Sequence, residues 1–512
     1  MGVNVGQMLR QAALTWPDRV GLVDLDGHDD GNGEPRELSF AQLDLRARRV
    51  AAELHARGAT PGQCVALIGH NCADFVASWF GIVYAGCAVV PIPILSAAPE
   101  VRYRVEHAGC RALVHDEARS ALCEEAVADL PGPVARLTMS ALGDGHEPVP
   151  CPEDTAPGDD ALILYTSGTT GKAKGAAISH ASLMTHTAVL GHHHLGLGPD
   201  DRVLAVLPLT HSYGCRMALL VPFFAGARVV LMPRFDAEAS FEQLARAGIS
   251  WMPAVPTMYA AWAALPEREP PGALRWCLSA GAPLPDEVAR RAELRLGAEI
   301  RQGFGMTEAT FTTLNAPPDR RTLGSVGRPV WGIEVRVVGP EGQDLPPGED
   351  GEVLVRGHNV MTRYLHDPQA TAETKGDGWI RSGDVGRLDA DGRLSIVDRI
   401  KDLIIRGGNN VYPSEVEAAL SEHPDVREVA VVGRPDDYYG EEVVAVVIAR
   451  EGASLDAGAL CEWARARVAR TKVPREVAFV ERFPLGPSNK VLKRELRQML
   501  VRGELIATRP QR

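Results

Sequence analysis

The chain has nine cysteines, scattered and without a C-x-x-C pair. An odd number in a long chain points to free thiols in a reducing, cytoplasmic setting, not to a disulfide framework. Positive charge is also in short supply, with a formal net charge of -12. That excess disfavours a nucleic-acid partner, which needs a basic face, and disfavours anionic membrane surfaces. The segment Met1–Gly6 has no basic n-region and no apolar h-region, so no secretory leader is expected. Gly6 also breaks the myristoylation pattern. Only Phe75–Leu95 is apolar for long enough to suggest a membrane span, and Gly86, Pro91 and Pro93 divide it. It reads as a buried helix through Tyr84 and then a short strand. Internal repeats are absent. The His192–His194 run lies between Gly191 and Gly196 and reads as a solvated loop, because a three-histidine zinc site needs ligands converging from different directions.

What is present describes an ordinary globular protein too long for one core. It has 512 residues, 45% hydrophobic and 23% charged. An amphipathic helix at Val5–Leu14 leads to a strand at Val20–Asp24. Asp29–Pro35 reads as a turn. A second helix is capped by Ser39, runs through Arg57 and ends at Gly58. From Val65–Gly69 onward, strands and helices alternate to about residue 230, which implies parallel sheets covered by helices. Strand signals recur at Val203–Leu207, Ala227–Met232, Ser250–Met252 and Leu274–Ser279. Residues 324–400 switch to short strands and glycine turns, suggesting a small β-barrel. From about residue 402 the pattern is a compact α+β unit. Its helices are expected at Ser414–Leu420, Leu455–Ala469 and Val491–Leu500, and its strands at Val429–Val432 and Val443–Ile448.

The densest chemistry lies in Tyr165–Gly175, which reads Y-T-S-G-T-T-G-K-A-K-G. Its glycines let backbone N–H groups turn toward one point, its hydroxyls add donors and its lysines add charge. A phosphate chain is the natural guest. The spacing is not that of a Walker A loop, since Thr166 stands five before Gly171 and Ala173 follows Lys172.

This string resembles the phosphate-binding signature of the adenylate-forming superfamily, which includes acyl-CoA synthetases, peptide-synthetase adenylation domains and firefly luciferase. Ala173 replaces the usual proline, with no donor lost. Gly303-Phe-Gly-Met-Thr-Glu308 resembles the same family's adenine and metal motif. Ser279–Leu284 resembles the strand end on the opposite side of the base. Gly378–Asp384 and Val397–Asp402 resemble its ribose-binding segments, and Leu485–Glu495 its turn with the catalytic lysine, with Asn489 where glycine is usual.

The resemblance spans about residues 4–497 and implies a role for each matching residue. Thr166, Ser167, Gly168, Thr169, Thr170, Gly171 and Lys174 would cradle the phosphates of ATP. Gly281, Ala282, Pro283, Phe304, Gly305, Met306 and Thr307 would surround adenine. Glu308, with Thr166, would hold Mg2+. Asp384 would accept from the ribose hydroxyls beside Arg399. Lys490 would bridge the substrate carboxylate and the α-phosphate, as suits a flexible point charge. His211, in Pro208–Gly214, would border the carboxylate and thiol. Lys401 would be the hinge of a mobile C-terminal domain, 401–512, following an N-terminal adenylation domain, 1–400. Gly407 and Gly408 would line the channel for a pantetheine arm. One departure, Arg363 where glycine is usual, has no explanation in the sequence.

The implied fold is α/β, with two parallel αβαβα subdomains and a small β-barrel followed by the α+β domain. The implied reaction is ATP-dependent acyl-CoA ligation, in which a carboxylic acid and Mg-ATP give acyl-adenylate and pyrophosphate, and coenzyme A then gives the thioester and AMP. Two alternatives remain: a stand-alone enzyme loading an acyl carrier protein, and a non-catalytic nucleotide sensor. A monomer or homodimer without integral membrane association is expected. The acid pocket would be bounded by residues 211–216, 251–257 and 304–311. Walls such as Trp251, Met306 and Phe311 suit an aryl or short-to-medium aliphatic acid.

Overall fold

The computed structural model describes residues 3–26, 35–143, 146–152, 154–166, 173–485 and 491–509. The chain folds into two compact units. One comprises residues up to Val335 together with Val355–Ile380. The other comprises Arg336–Leu354 and the residues from Arg381 onward.

The larger unit is built on two sheets of mainly parallel strands, as the helix–strand alternation predicts. The first has nine strands, in the order Arg328–Pro329, Thr313–Leu314, Glu299–Phe304, Trp276–Ser279, Trp251–Ala254, Arg202–Ala205, Arg228–Leu231, Val20–Asp24 and Arg36–Ser39. The second has seven, in the order Arg363–Tyr364, Lys174–Ser179, Asp160–Thr166, Ala88–Ile92, Cys64–Ile68, Cys110–His115 and Ala135–Thr138. Strands buried on both faces need apolar residues without alternation, and Val89, Val90, Val65 and Leu67 are accordingly fully buried.

Local signals explain several boundaries. Helix Phe40–Ala56 opens with a capping box, in which the Ser39 Oγ accepts from the Gln42 N–H at 3.2 Å and the Gln42 Oε1 accepts from the Ser39 N–H at 2.8 Å. Gly58, at φ +82°, closes it. Helix Ala73–Tyr84 and strand Ala88–Ile92 account for the long apolar run. Among the described residues no helix is long and apolar enough to cross a membrane. Residues 29–34 of the expected turn lie outside the described set.

Two expectations need correction. His192–His194 is not a loop but the end of a helical segment, Leu190–Leu195, because its rings find partners. His193 stacks on Trp331, His192 meets Phe224 edge-on, and His194 Nε2 accepts from the Trp331 N–H at 3.2 Å. In place of a barrel, strands Ile333–Val338, Gly351–Gly357, Trp379–Leu388 and Lys375–Gly376 join in that order, with Leu394–Arg399 on Trp379–Leu388. No pairing found among the described residues closes this five-stranded sheet, and Lys375–Gly376 is only two residues long.

The smaller unit carries a second five-stranded sheet. Asn409–Val411, Ile404–Arg406, Gly440–Ala449 and Val426–Asp436 follow one another, and Glu476–Phe479 joins Gly440–Ala449 in parallel. Helices Pro413–Ser421 and Ala457–Arg465 pack on one face around Val431 and Val447, and Lys493–Arg502 packs on the other around Val432 and Val446. The first of these cores continues the valine alternation of the two long strands.

Candidate active site

In the larger unit, the described flanks of the glycine-rich stretch are two antiparallel strands. Asp160–Thr166 pairs with Lys174–Ser179, and Thr166 lies opposite Lys174. Ser167, Gly168, Thr169, Thr170, Gly171 and Lys172 lie outside the described residues. The described residues on both flanks are anchored: the Tyr103 hydroxyl donates to the Ala173 carbonyl at 2.8 Å, and the Tyr165 hydroxyl lies 2.8 Å from His107 Nδ1.

The second motif follows strand Glu299–Phe304. Met306 and Ala309 exchange backbone hydrogen bonds, which puts Thr307 and Glu308 at the tip of a tight turn. The Thr312 N–H reaches the Phe304 carbonyl at 2.7 Å and folds the segment back. Gly305 is dictated by this fold, since a Cβ there would run into the backbone nitrogen of Phe311. Gly281, at φ +90°, turns the chain out of strand Trp276–Ser279 toward Ala282 and Pro283. The next N–H, Leu284, donates to Gln302 Oε1 at 3.3 Å, which ties this strand end to its neighbour.

Tyr364 joins the first two motifs. Its hydroxyl donates to Glu308 Oε1 at 2.6 Å, and the Lys174 ammonium lies 5.2 Å from the centre of its ring. The pairing is enforced by backbone: Tyr364 opposes Ala176, the Leu365 N–H donates to the Gly175 carbonyl, and the Met361 N–H donates to the Glu308 carbonyl. Burial, then the Glu308 carboxylate, pushes the Tyr364 phenol up, so it stays a donor. Arg363 now has an explanation. Its guanidinium makes a two-pronged contact with Asp160, at 3.0 and 2.6 Å, pinning this short strand to the foot of the hairpin.

The three expected walls of the acid pocket meet at Tyr213. Its hydroxyl donates to the carbonyls of Ala254 and Leu278, and its ring lies 5.1 Å from that of Phe311. His211 sits just before it and accepts from the Tyr213 N–H through Nδ1 at 3.2 Å. One turn further on, Arg216 is buried, and burial lowers its guanidinium to about 10, leaving it charged at neutral pH. Its Nη2 lies 3.4 Å from Thr310 Oγ1, while Nε and Nη1 have no partner among the described residues. His186 and His358 stand close by, 3.1 Å apart between Nδ1 and Nε2. Burial, and next the Arg216 charge, holds both well toward the neutral form.

The smaller unit holds its own set. Asp384 is buried opposite Arg399, whose Nε donates to Oδ1 at 2.8 Å. Lys401 lies in the single turn Ile400–Asp402. Its ammonium is lowered by burial and by Arg399, and its carbonyl accepts from Arg497 at 3.1 Å. Gly407 and Gly408, at φ +55° and +79°, form the tight turn of hairpin Ile404–Val411. Lys490 lies outside the described residues, and the residues described on either side, Leu485 and Val491, form a bridge with one another. Lys493, three residues on, is clamped at 2.6 Å to Glu417, which also accepts from the Val431 N–H.

Tyr364 went unassigned in the sequence, and Arg216 entered only as one bound of the acid pocket, without a role. The motif that holds Tyr364 was visible, but its partners lie 56 and 190 residues away. Among the described residues no cluster of three or more metal-ligating side chains occurs.

Comparison with known proteins identifies the family. The family model for AMP-binding enzymes matches residues 9–365, and that for the AMP-binding enzyme C-terminal domain matches 415–490. The chain is 37% identical over 507 residues to a sulfoacetate–CoA ligase of Cupriavidus necator, covering 96% of this chain and 97% of that protein. An indoleacetate–CoA ligase of Aromatoleum aromaticum is 37% identical over 484 residues, covering 91% and 94%. Among solved structures, the anthranilate CoA ligase AuaEII in complex with anthranoyl-AMP superposes with a TM-score of 0.89 at 28% identity, covering 98% of each chain. ATP-bound MatB from Rhodopseudomonas palustris gives 0.87 at 30% identity, covering 97% and 99%. The chain belongs to the AMP-binding enzymes of the adenylate-forming superfamily, as an AMP-forming acyl-CoA ligase.

Proposed function

We propose that the enzyme runs two half-reactions in one pocket, with the residues named from the sequence in the following roles. The observation that carries this reading is the Tyr364 junction, which ties the stem of the phosphate hairpin, through Lys174, to Glu308. In the first half-reaction, a carboxylate attacks the α-phosphorus of ATP and pyrophosphate leaves. Like charges repel on approach, and the transition state gathers negative charge on phosphoryl oxygens, so positioned cations and N–H donors lower the barrier. The loop 167–172 and Lys174 supply donors and charge to the phosphates. Phe304 and the Gly281–Pro283 strand end bracket adenine. Asp384 accepts from the ribose hydroxyls while Arg399 orients it. Lys490 neutralises the carboxylate and α-phosphate together.

The residues present fit Mg2+, which favours one or two carboxylates plus substrate phosphates over an all-protein cage. Glu308 engages Tyr364 through Oε1 only, so its other oxygen and the Thr166 hydroxyl would hold the ion. When bound, the ion would supply charge neutralisation of the phosphates.

In the second half-reaction, residues 401–512 turn about Lys401 and withdraw Lys490. The Gly407–Gly408 turn then lines the path of the thiol, and His211 borders the attacked carbonyl. Coenzyme A is the acceptor, in keeping with ligase relatives that cover nearly the whole chain. The enzyme works in the cytoplasm as a monomer or homodimer. A panel of acids, including sulfoacetate, indoleacetate and aryl acids, tests the reading through acid-dependent ATP–pyrophosphate exchange and AMP release. Exchange with at least one acid, and AMP release stimulated by coenzyme A, is expected. Stimulation only by a phosphopantetheinylated carrier would move the acceptor to a protein, and no exchange with any acid would refute catalysis.

A further inference from the structure

Arg216 is 2% exposed and sits among groups that give it no counter-charge. Two of its nitrogens are sealed from solvent without a hydrogen-bond partner among the described residues. Its one contact there is Thr310 Oγ1, a long one at 3.4 Å. Among the described residues no carboxylate lies within ion-pair range of it. His186 and His358, which feel its charge, are held toward the neutral form by burial first and by Arg216 next, so neither offers it a negative partner. A buried, unpaired guanidinium is costly, and proteins tolerate one where an arriving anion completes it. The position narrows the identity of that anion. Arg216 is one helical turn beyond Tyr213, whose ring packs on Phe311, and its contact Thr310 is two residues past Glu308. It therefore lies in the 211–216 stretch expected to bound the acid pocket.

We infer that Arg216 recognises a second oxyanion on the substrate, so that the acid activated here carries a carboxylate or sulfonate at its far end as well as the reacting carboxylate. This rests on the ligase reading above and names its substrate class. The guanidinium offers a planar pair of donors that fits either oxyanion. Specificity then arises by the logic of buried polar sites: an acid lacking the distal group leaves the guanidinium unpaired, and discrimination of about 10²–10⁴-fold in kcat/KM is expected.

The test uses matched acids with the full-length enzyme, ATP, Mg2+ and coenzyme A, reading pyrophosphate release. The pairs are malonate against propionate, succinate against butyrate, and 3-sulfobenzoate against benzoate, with sulfoacetate added. In the wild type, at least one doubly charged acid should exceed its partner by about 100-fold or more. Arg216→Met should lose that acid by a similar factor while keeping or improving the singly charged one, and Arg216→Lys should recover part of the loss. Wild type preferring the singly charged member of every pair would overturn the inference and leave the ligase reading standing. An Arg216→Met variant impaired equally on all acids would also overturn it. No pyrophosphate release with any acid would sink the ligase reading and this inference with it.

Discussion

Tyr364 touches both Lys174 and Glu308, and removing one oxygen from it should separate the two contacts. In Tyr364→Phe, the ring stays beneath Lys174 while Glu308 loses its hydroxyl donor. Partners that orient a ligand group are typically worth 10–100-fold. Adenylate formation, followed by pyrophosphate exchange, should fall by about that factor, while transfer of a supplied acyl-adenylate to coenzyme A changes little. Gly305 makes a different kind of prediction. Its missing side chain is what lets the Phe311 backbone close over the turn. Gly305→Ala should destabilise the fold by about 1–3 kcal/mol in denaturant unfolding and abolish exchange, because the turn bearing Glu308 must open.

At the scale of whole elements, helix His180–Val189 carries a pH sensor by construction. His180 is buried and its Nδ1 accepts from the Val5 N–H at 3.0 Å, an arrangement only the neutral ring can make. Burial lowers it from 6.5 to about 4. The unfolded chain therefore binds a proton below about 6.5 that the folded chain refuses until about 4. Stability from this group is complete above pH 6.5 and is lost as pH falls toward 4, by about 3 kcal/mol at most. Urea midpoints measured at pH 7.5 and 4.5 should show that loss, and His180→Asn, which keeps an acceptor, should flatten it. The hairpin Ile404–Val411 gives a complementary case in the smaller unit. Both turn residues have positive φ, where a Cβ costs about 1–2 kcal/mol. Gly408 has open space around it, so Gly408→Ala should fold, with a small loss of stability. If the turn lines the thiol path, the variant should slow thioester formation and leave exchange at its wild-type rate.

On the scale of the molecule, the sequence revealed architecture better than junctions. Alternating apolar runs disclosed the parallel sheets, because a doubly buried strand needs no help from distant residues to be recognised. Ser39 as N-cap and Gly58 as terminator did the same for the ends of helix Phe40–Ala56. What stayed hidden depends on contacts across long separations. Tyr364 meets Glu308 only because a two-residue strand pairs with Lys174–Ser179, and no local pattern announces a strand that short. Arg363 looked like an unexplained departure until Asp160, 203 residues earlier, appeared opposite it. The histidine run read as a loop because its ring partners Trp331 and Phe224 come from remote segments, while His192 and His193 are exposed as expected. Arg216 was placed on the pocket wall by sequence, but its isolation could be seen only once its neighbours were fixed.

The direct test of the two-posture mechanism is to measure both half-reactions of Lys490→Ala separately. The proposed role predicts that acid-dependent pyrophosphate exchange falls by about 10²–10³-fold, while thioester formation from supplied acyl-adenylate and coenzyme A stays within a few-fold of wild type. Equal losses in both half-reactions, or no loss of exchange, would contradict it.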